Sequence, residues 1–306
     1  MHDGDPETTD LEEQSTPSGA QQPARSVARR MLLRLRRAFL LFVVVPYVAT
    51  TLIFAVFQRQ LMYRPTKVAD LQAAAVGLDP QTTEDVSVTA TDGTKLNGWL
   101  IHPFGSASSN DVRPLLVYFP GNSLNRFERR VDLKEIARAG YDVLIFDYRG
   151  FGDNDGTPSQ QALEADARSV WEYARSLRPQ PSQQIVLFGE SLGGAVLLSL
   201  WQDQQAAPDA AAVILSSTFD SMPAVVRDLY PWFPFQYLLL DRWPSSQRIQ
   251  NVRVPVDIFH GTEDQMIRLE RARSLAAAAP SATLHTVEDG THNGIPMTQL
   301  RKVLKR

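Results

Sequence analysis

Gln184-Ile185-Val186-Leu187-Phe188, followed by Gly189-Glu190-Ser191-Leu192-Gly193 and then Gly194-Ala195-Val196-Leu197-Leu198, is the stretch on which the fold turns. An apolar run of strand character ends, the chain turns sharply, and a helical run begins with a serine at the turn. Glycine has no Cβ, so the flanking glycines tolerate strained dihedrals and let the helix and strand backbones approach closely. A serine placed there lifts its hydroxyl above the sheet near the positive end of a helix, the arrangement of a nucleophile elbow. The pentapeptide alone is a weak signal: with Gly at about 7% of residues, it arises by chance in roughly one in ten chains of this length. The plain alternative is a serine that caps a helix packed on a sheet. Partners for the serine decide between the two.

Outward from the elbow, the same alternation recurs. Pro114 to Phe119 is a continuous apolar strand that ends at Pro120-Gly121-Asn122-Ser123. Arg126 to Ala139 has helical periodicity and closes at Gly140; Tyr141 to Asp147 is another buried strand, and Ser159 to Leu177 another helix. After the elbow come strands Ala211 to Leu215, Val254 to His260 and Ala282 to Glu288. Before it, Asp85 to Ala90 and Lys95 to His102 alternate apolar and polar across Thr91-Asp92-Gly93-Thr94, a hairpin signature. Strands alternating with helices predict an α/β fold, a mostly parallel sheet with right-handed crossovers and helices on both faces. The hairpin supplies antiparallel strands at one edge. No internal repeat is visible and no linker divides the chain from Val86 onward, so residues 61–306 are expected to form one domain.

The N-terminal part is of another kind. Met1 to Arg30 is rich in Asp, Glu, Thr, Ser, Gln and Pro and is expected to be disordered. Residues 31–60 carry a basic flank and then Ala38 to Phe57, which holds no charge and has about the length needed to cross a hydrocarbon core of roughly 30 Å. Arg25, Arg29, Arg30, Arg34, Arg36 and Arg37 precede it, with Arg59, Arg64 and Lys67 after it. That bias predicts a single membrane span with the N-terminus in the cytoplasm and the domain on the opposite, periplasmic or luminal/extracellular, side. A cleaved signal peptide would want a shorter apolar region and small residues at the cut, which Val56-Phe57-Gln58-Arg59 does not offer. A buried core helix would need cover on both faces.

Between Ser216 and Val252 the alternation lapses. Leu229 to Leu240 (LYPWFPFQYLLL) is aromatic and apolar beyond what one helix face buries. It reads either as a helix and loop packed on the sheet edge or as a small cap that lines an apolar pocket or faces a membrane.

A serine hydroxyl needs a base within hydrogen-bond reach, and the base needs a group that holds its tautomer. Of the five histidines, His2 lies in the tail, His102 ends an early strand, His260 closes a strand and His285 sits within the last one. His292 stands in Asp289-Gly290-Thr291-His292-Asn293-Gly294, just past the last strand, where the carboxyl ends of a parallel sheet place their sites. For the acid, Glu263 and Asp264 follow the preceding strand, and Asp220 is a third candidate; the order serine, acid, histidine is that of an elbow on such a sheet. Amide donors for an oxyanion are expected from Leu192, the residue after the serine, and from Asn122 in the loop after Phe119.

With these parts in place, the chain from about Val86 resembles an α/β-hydrolase and, more narrowly, the membrane-anchored Bem46-like and ABHD-type serine hydrolases. The likeness is carried by Phe146-Asp147-Tyr148-Arg149-Gly150-Phe151-Gly152 with Gly156-Thr157-Pro158-Ser159, by Gly189 to Gly194, by His260-Gly261-Thr262-Glu263-Asp264 with Gly290-Thr291-His292-Asn293, and by Gln58 to Pro65 after the span. The resemblance implies Ser191 as nucleophile, Asp264 as acid, His292 as base, and Asn122 and Leu192 as oxyanion donors. Two positions depart from the family pattern: Pro120 stands where histidine is common, and Thr291 where glycine is.

The expected activity is hydrolysis of an ester, thioester or similar acyl substrate, small or lipid-like. A serine peptidase of aminopeptidase type and a non-catalytic, membrane-tethered binding protein are the alternatives. No cofactor and no metal are expected, since no His, Asp and Glu cluster has ligand spacing. The net charge of −3, with no basic patch interleaved with aromatics, gives no sign of nucleic-acid binding. The absence of cysteine excludes disulfides and a thiol nucleophile.

Overall fold

A computed structural model describes residues 22–105, 113–178, 184–203, 207–293 and 299. The chain divides into two compact units, Met1–Leu52 and Ile53–Arg306. The first is helical where it is described. Helix α1 spans Gln22–Phe39, a π-helical turn covers Leu40–Val44, and α2 begins at Val45 and runs to Met62. The π turn has a local cause: Pro46 has no N–H to give and its ring crowds the carbonyl one turn back, so Val45 donates instead to Leu40, five residues earlier. Helix thus begins at Gln22, inside the stretch expected to be disordered through Arg30; the rest of that tail lies outside the described residues. The alternating Arg and Leu pattern of residues 29–37 is enough to sustain a helix.

The second unit begins at Ile53, ahead of the boundary expected at residue 61, because Phe54, Gln58 and Met62 of α2 are buried in it. Four residues apart, they share one helix face. Its centre is an eight-stranded sheet. In chain order the strands are β2 (Thr83–Thr89), β3 (Lys95–Ile101), β4 (Leu115–Phe119), β6 (Asp142–Phe146), β7 (Ile185–Glu190), β8 (Ala212–Ser216), β9 (Val256–Gly261) and β10 (Ala282–Val287); two short strands, β1 (Arg64–Pro65) and β5 (Ser123–Leu124), pair separately. The spatial order is β10-β9-β8-β7-β4-β6-β3-β2. The six strands from β6 to β10 are mutually parallel, while β3 runs antiparallel to both β6 and β2. The predicted hairpin is therefore the antiparallel edge.

Strands buried on both faces read as unbroken apolar runs, and the core shows why. Leu115, Val117, Leu144, Leu187, Val213 and Ile258 face one layer, where they meet helices α4 (Gln160–Leu177), α5 (Leu192–Leu198), α8 (Ser245–Ile249) and α9 (Leu269–Ala278). The alternate residues Leu116, Val143, Ile145, Val186, Ile214 and Phe259 face the other layer, with Leu133 and Ile136 of α3 (Arg130–Arg138). Helix α3 starts later than the Arg126 expected from periodicity. Arg126 is instead drawn inward, its backbone N–H bonding Asp147 at 2.7 Å and its guanidinium paired with Asp147 and Asp153 at 2.6 and 2.8 Å. Between β8 and β9 the chain builds α6 (Met222–Leu229) and α7 (Phe235–Leu238), called the cap below, in the stretch that the sequence left open between a helix packed on the sheet edge and a cap over a pocket.

Candidate active site

Strand β7 delivers Ser191 to the carboxyl edge of the sheet, at φ 51° and ψ −117°. A positive φ is sterically unfavourable for serine, and the surroundings hold it there. The Ser191 N–H donates to the Ser216 carbonyl (2.8 Å), while its own carbonyl accepts from the Thr218 hydroxyl (2.8 Å) and the Gly194 N–H (3.1 Å). The turn also needs Gly193: a Cβ there would lie 2.0 Å from the Phe119 carbonyl oxygen.

His292 reaches the same place from the loop after β10. Its Nε2 lies 3.1 Å from Ser191 Oγ and its Nδ1 lies 2.8 Å from Asp264 Oδ2. A carboxylate can only accept, so Nδ1 carries the proton and Nε2 presents its lone pair to the serine hydroxyl. Asp264 is wholly enclosed, and its Oδ1 accepts the backbone N–H groups of Met266 (2.9 Å) and Ile267 (2.8 Å). The two loops meet through glycines: a Cβ on Gly261 would fall 2.0 Å from the Gly290 carbonyl oxygen. The alternatives for the acid are placed elsewhere. Glu263 is exposed and Asp220 bonds Arg271 at 3.1 Å. His285 pairs with Asp257, and His102 with Asp142 and Glu84, while His260 lies buried behind the acid, 3.3 Å from Asp264. Burial pushes the His260 imidazole below its usual range, favouring the neutral form.

Leu192 opens α5, and its N–H is among those that intrahelical bonding leaves over at a helix start. Asn122 lines one cavity together with Ser191, Leu192 and His292. Its side-chain amide donates to the Met62 carbonyl (2.8 Å), its carbonyl accepts the Arg64 N–H (2.9 Å), and β1 pairs with β5 immediately beyond it. Residues 62–65 thereby fix the loop that carries Asn122. Of the two departures from the family pattern, Pro120 offers its carbonyl to the buried Tyr148 hydroxyl at 2.8 Å, and Thr291 is exposed.

Some parts of the site were not legible in the sequence. Glu190, the variable residue of the elbow, accepts from Arg129 Nε (2.8 Å) and Tyr118 Oη (2.9 Å) and takes the Gly121 N–H as well. Burial would push its carboxyl up, but the Arg129 guanidinium outweighs this and holds it below its ordinary value. The elbow and the Gly121–Asn122 loop are thus tied by one charge pair. A carboxylate within a Gly-x-Ser-x-Gly run was the available signal; its partners, 61 and 72 residues away, gave none.

Beside Ser191 lies a cavity of about 260 Å³. Met222, Val225, Val226, Leu229, Tyr230 and Leu239 of the cap form one wall, and Phe54, Gln58, Leu61 and Met62 of α2 another. Among the described residues, no group of three or more His, Asp or Glu is placed to hold a metal ion.

A sheet of this order, with a strained serine at the end of its central strand and an aspartate and a histidine after the two outermost strands on one side, defines the class of the molecule: the chain belongs to the α/β-hydrolase superfamily. The family model for serine aminopeptidase S33 matches residues 121–247. The uncharacterized protein Rv2307c of Mycobacterium tuberculosis is 35% identical over 268 residues, covering 87% of this chain and 92% of its own. The protein bem46 of Schizosaccharomyces pombe is 29% identical, over 69% of this chain and 71% of its own. Among solved structures, an esterase of Pyrococcus furiosus superposes with a TM-score of 0.60 at 18% identity, covering 80% of this chain and 95% of that one.

Proposed function

We propose that the protein is a membrane-anchored serine hydrolase that cleaves an acyl ester or thioester through an acyl-enzyme. The observation that carries this is the Ser191–His292–Asp264 relay, with contacts of 3.1 and 2.8 Å at a strained serine. His292 Nε2 takes the proton as Ser191 Oγ bonds to the acyl carbon. The carbonyl oxygen, now anionic, accepts the backbone N–H groups of Leu192 and Asn122. Asp264 steadies the imidazolium, which gives its proton to the departing alcohol or thiol as that bond breaks. Water, deprotonated in turn by His292, then cleaves the acyl-enzyme and restores the Ser191 hydroxyl.

The anchoring is supported by the helical stretch Val27–Met62, which is long and apolar enough to cross a membrane, and the arginine bias favours a cytoplasmic N-terminus. An aminopeptidase has the support of the matched family model, but such a substrate brings an α-ammonium that wants a carboxylate, and the described residues lining the cavity include no Asp or Glu. The apolar lining favours acyl groups over amino-acyl groups.

The test is labelling of the full-length protein by a fluorophosphonate, with turnover of p-nitrophenyl esters set beside that of amino-acid p-nitroanilides. Wild type should label and prefer esters; Ser191→Ala should not label while its thermal transition stays within a few degrees. A folded wild type that neither labels nor turns over either substrate would leave a tethered binding protein as the better description.

A further inference from the structure

The last turns of α2 do more than lead into the domain. Phe54, Gln58 and Leu61 line the same cavity as Ser191 and His292. Phe54 belongs to the uncharged run Ala38–Phe57, and its ring stacks on Phe235 of the cap with centroids 4.0 Å apart and planes 7° from parallel. Gln58, just past that run and 3% exposed, donates to the Leu238 carbonyl (3.1 Å) and accepts the Leu240 N–H (2.7 Å). Arg59 then makes a two-pronged pair with the buried Asp241, 3.0 Å on each prong, and the Tyr63 hydroxyl donates to the same carboxylate at 2.9 Å. Helix end and cap are therefore fastened together, since parting them would leave Asp241 charged and unpaired in the interior.

The outer side of that fastened segment is apolar and uncovered. Residues 229–240 contain no charge, and Trp232, Tyr237 and Leu240 are 85%, 76% and 65% exposed. On the helix beside them Val56 and Leu61 are 69% and 58% exposed. Tryptophan and tyrosine next to the end of a spanning run are the residues that settle at a membrane–water boundary. Because Phe54 belongs both to the run and to the cavity wall, a bilayer crossed by that run reaches the rim of the cavity.

We infer that the Ser191 pocket fills from the bilayer: the substrate is a membrane-resident acyl lipid whose chain passes between the end of α2 and the cap without crossing water, while Trp232, Tyr237 and Leu240 sit at the headgroup level. This rests on the serine-hydrolase and membrane-anchor reading above. Each methylene carried through water costs about fourfold in partitioning, so for a long chain the path through the lipid dominates. The chemistry is unchanged: Ser191 gains the acyl group, the lipid alcohol leaves with the proton from His292, and water releases the free acid.

The experiment uses the full-length protein in phosphatidylcholine vesicles and two substrates with one leaving group, p-nitrophenyl palmitate embedded in the vesicles and p-nitrophenyl acetate in the water. Wild type should turn over both. In the Trp232→Asp/Tyr237→Asp variant, the ratio of palmitate to acetate turnover should fall by about tenfold or more, and quenching of tryptophan fluorescence by brominated lipid should drop with it. An unchanged ratio, or a wild type active on the acetate alone, overturns lipid access and leaves the hydrolase standing. Failure of the wild type on both esters together with no fluorophosphonate labelling overturns the catalytic reading and the lipid proposal with it.

Discussion

On the proposed hydrolase reading, the residues around Ser191 divide between chemistry and its support. Asp264 spends one carboxylate oxygen on two backbone amides and offers the other to His292. Asp264→Asn should keep the first set of contacts and disturb the second, turning the imidazole toward the wrong tautomer. The expected result is a fall in kcat on the order of 10³ to 10⁴ with the fold retained; near-normal turnover would point to another acid. Glu190 works one step back, as a positioning residue. Glu190→Gln removes the charge that faces Arg129 and loosens the loop bearing Asn122, for a loss of about 1–3 kcal/mol and a kcat about tenfold lower at nearly unchanged KM. The folded-state pKa of Glu190 lies below its ordinary value of 4.5. Its stabilisation is therefore fully present above that value and is lost as pH falls through the lower, folded one. Melting curves of wild type and variant should be separated by a constant gap at pH 6 to 8, roughly the range in which carboxylates stay ionised, with the gap closing as the solution is acidified below 4.5. A gap that widens in acid would contradict the assignment of charge.

Elements were legible where one physical signal dominated. The continuous runs Leu115–Phe119 and Asp142–Phe146 follow from burial on both sheet faces, and Ser159 caps α4 with its Oγ accepting from Ala162 at 3.3 Å. Where long-range pairing competed with local periodicity, the sequence was silent. Arg126 leaves its helix for Asp147 and Asp153, and Arg64-Pro65 becomes a strand only because Ser123-Leu124 lies beside it. Spacing left Glu263, Asp264 and Asp220 open as partners of His292 for the same reason: the choice is made by the crossing of two loops, which only the packing of Gly261 on Gly290 reveals. That crossing has a testable consequence. Gly261→Ala would push a methyl into the Gly290 carbonyl and spread the loops. Overpacking of this kind costs about 1–3 kcal/mol, and on the proposed reading a shift of roughly 1 Å between His292 and Ser191 costs on the order of a hundredfold in turnover. Calorimetry and ester kinetics on this variant should show both; a full-rate Gly261→Ala enzyme would mean that the loops have room the structure does not display.

At the scale of the whole molecule, the α/β-hydrolase class was readable because its site is written in short motifs at strand ends. What composition could not convey is that the last turns of Val27–Met62, the helical stretch long and apolar enough to cross a membrane, form part of the cavity wall. Phe54 and Gln58 look like ordinary members of an apolar helix until Phe235, Leu238 and Leu240 are seen against them. The arginines before Ala38 predict a cytoplasmic N-terminus for a membrane-spanning chain, and the chain is suited to a direct test because it has no native cysteine. Ser26→Cys places a single thiol before the span, and Thr91→Cys places one on an exposed turn of the hydrolase unit. With cytoplasmic arginines retaining the N-terminus, a membrane-impermeant maleimide added outside sealed cells should label Thr91→Cys at once and Ser26→Cys only after permeabilisation. The opposite pattern would place the catalytic unit in the cytoplasm, and acyl lipids would then reach Ser191 from the inner leaflet.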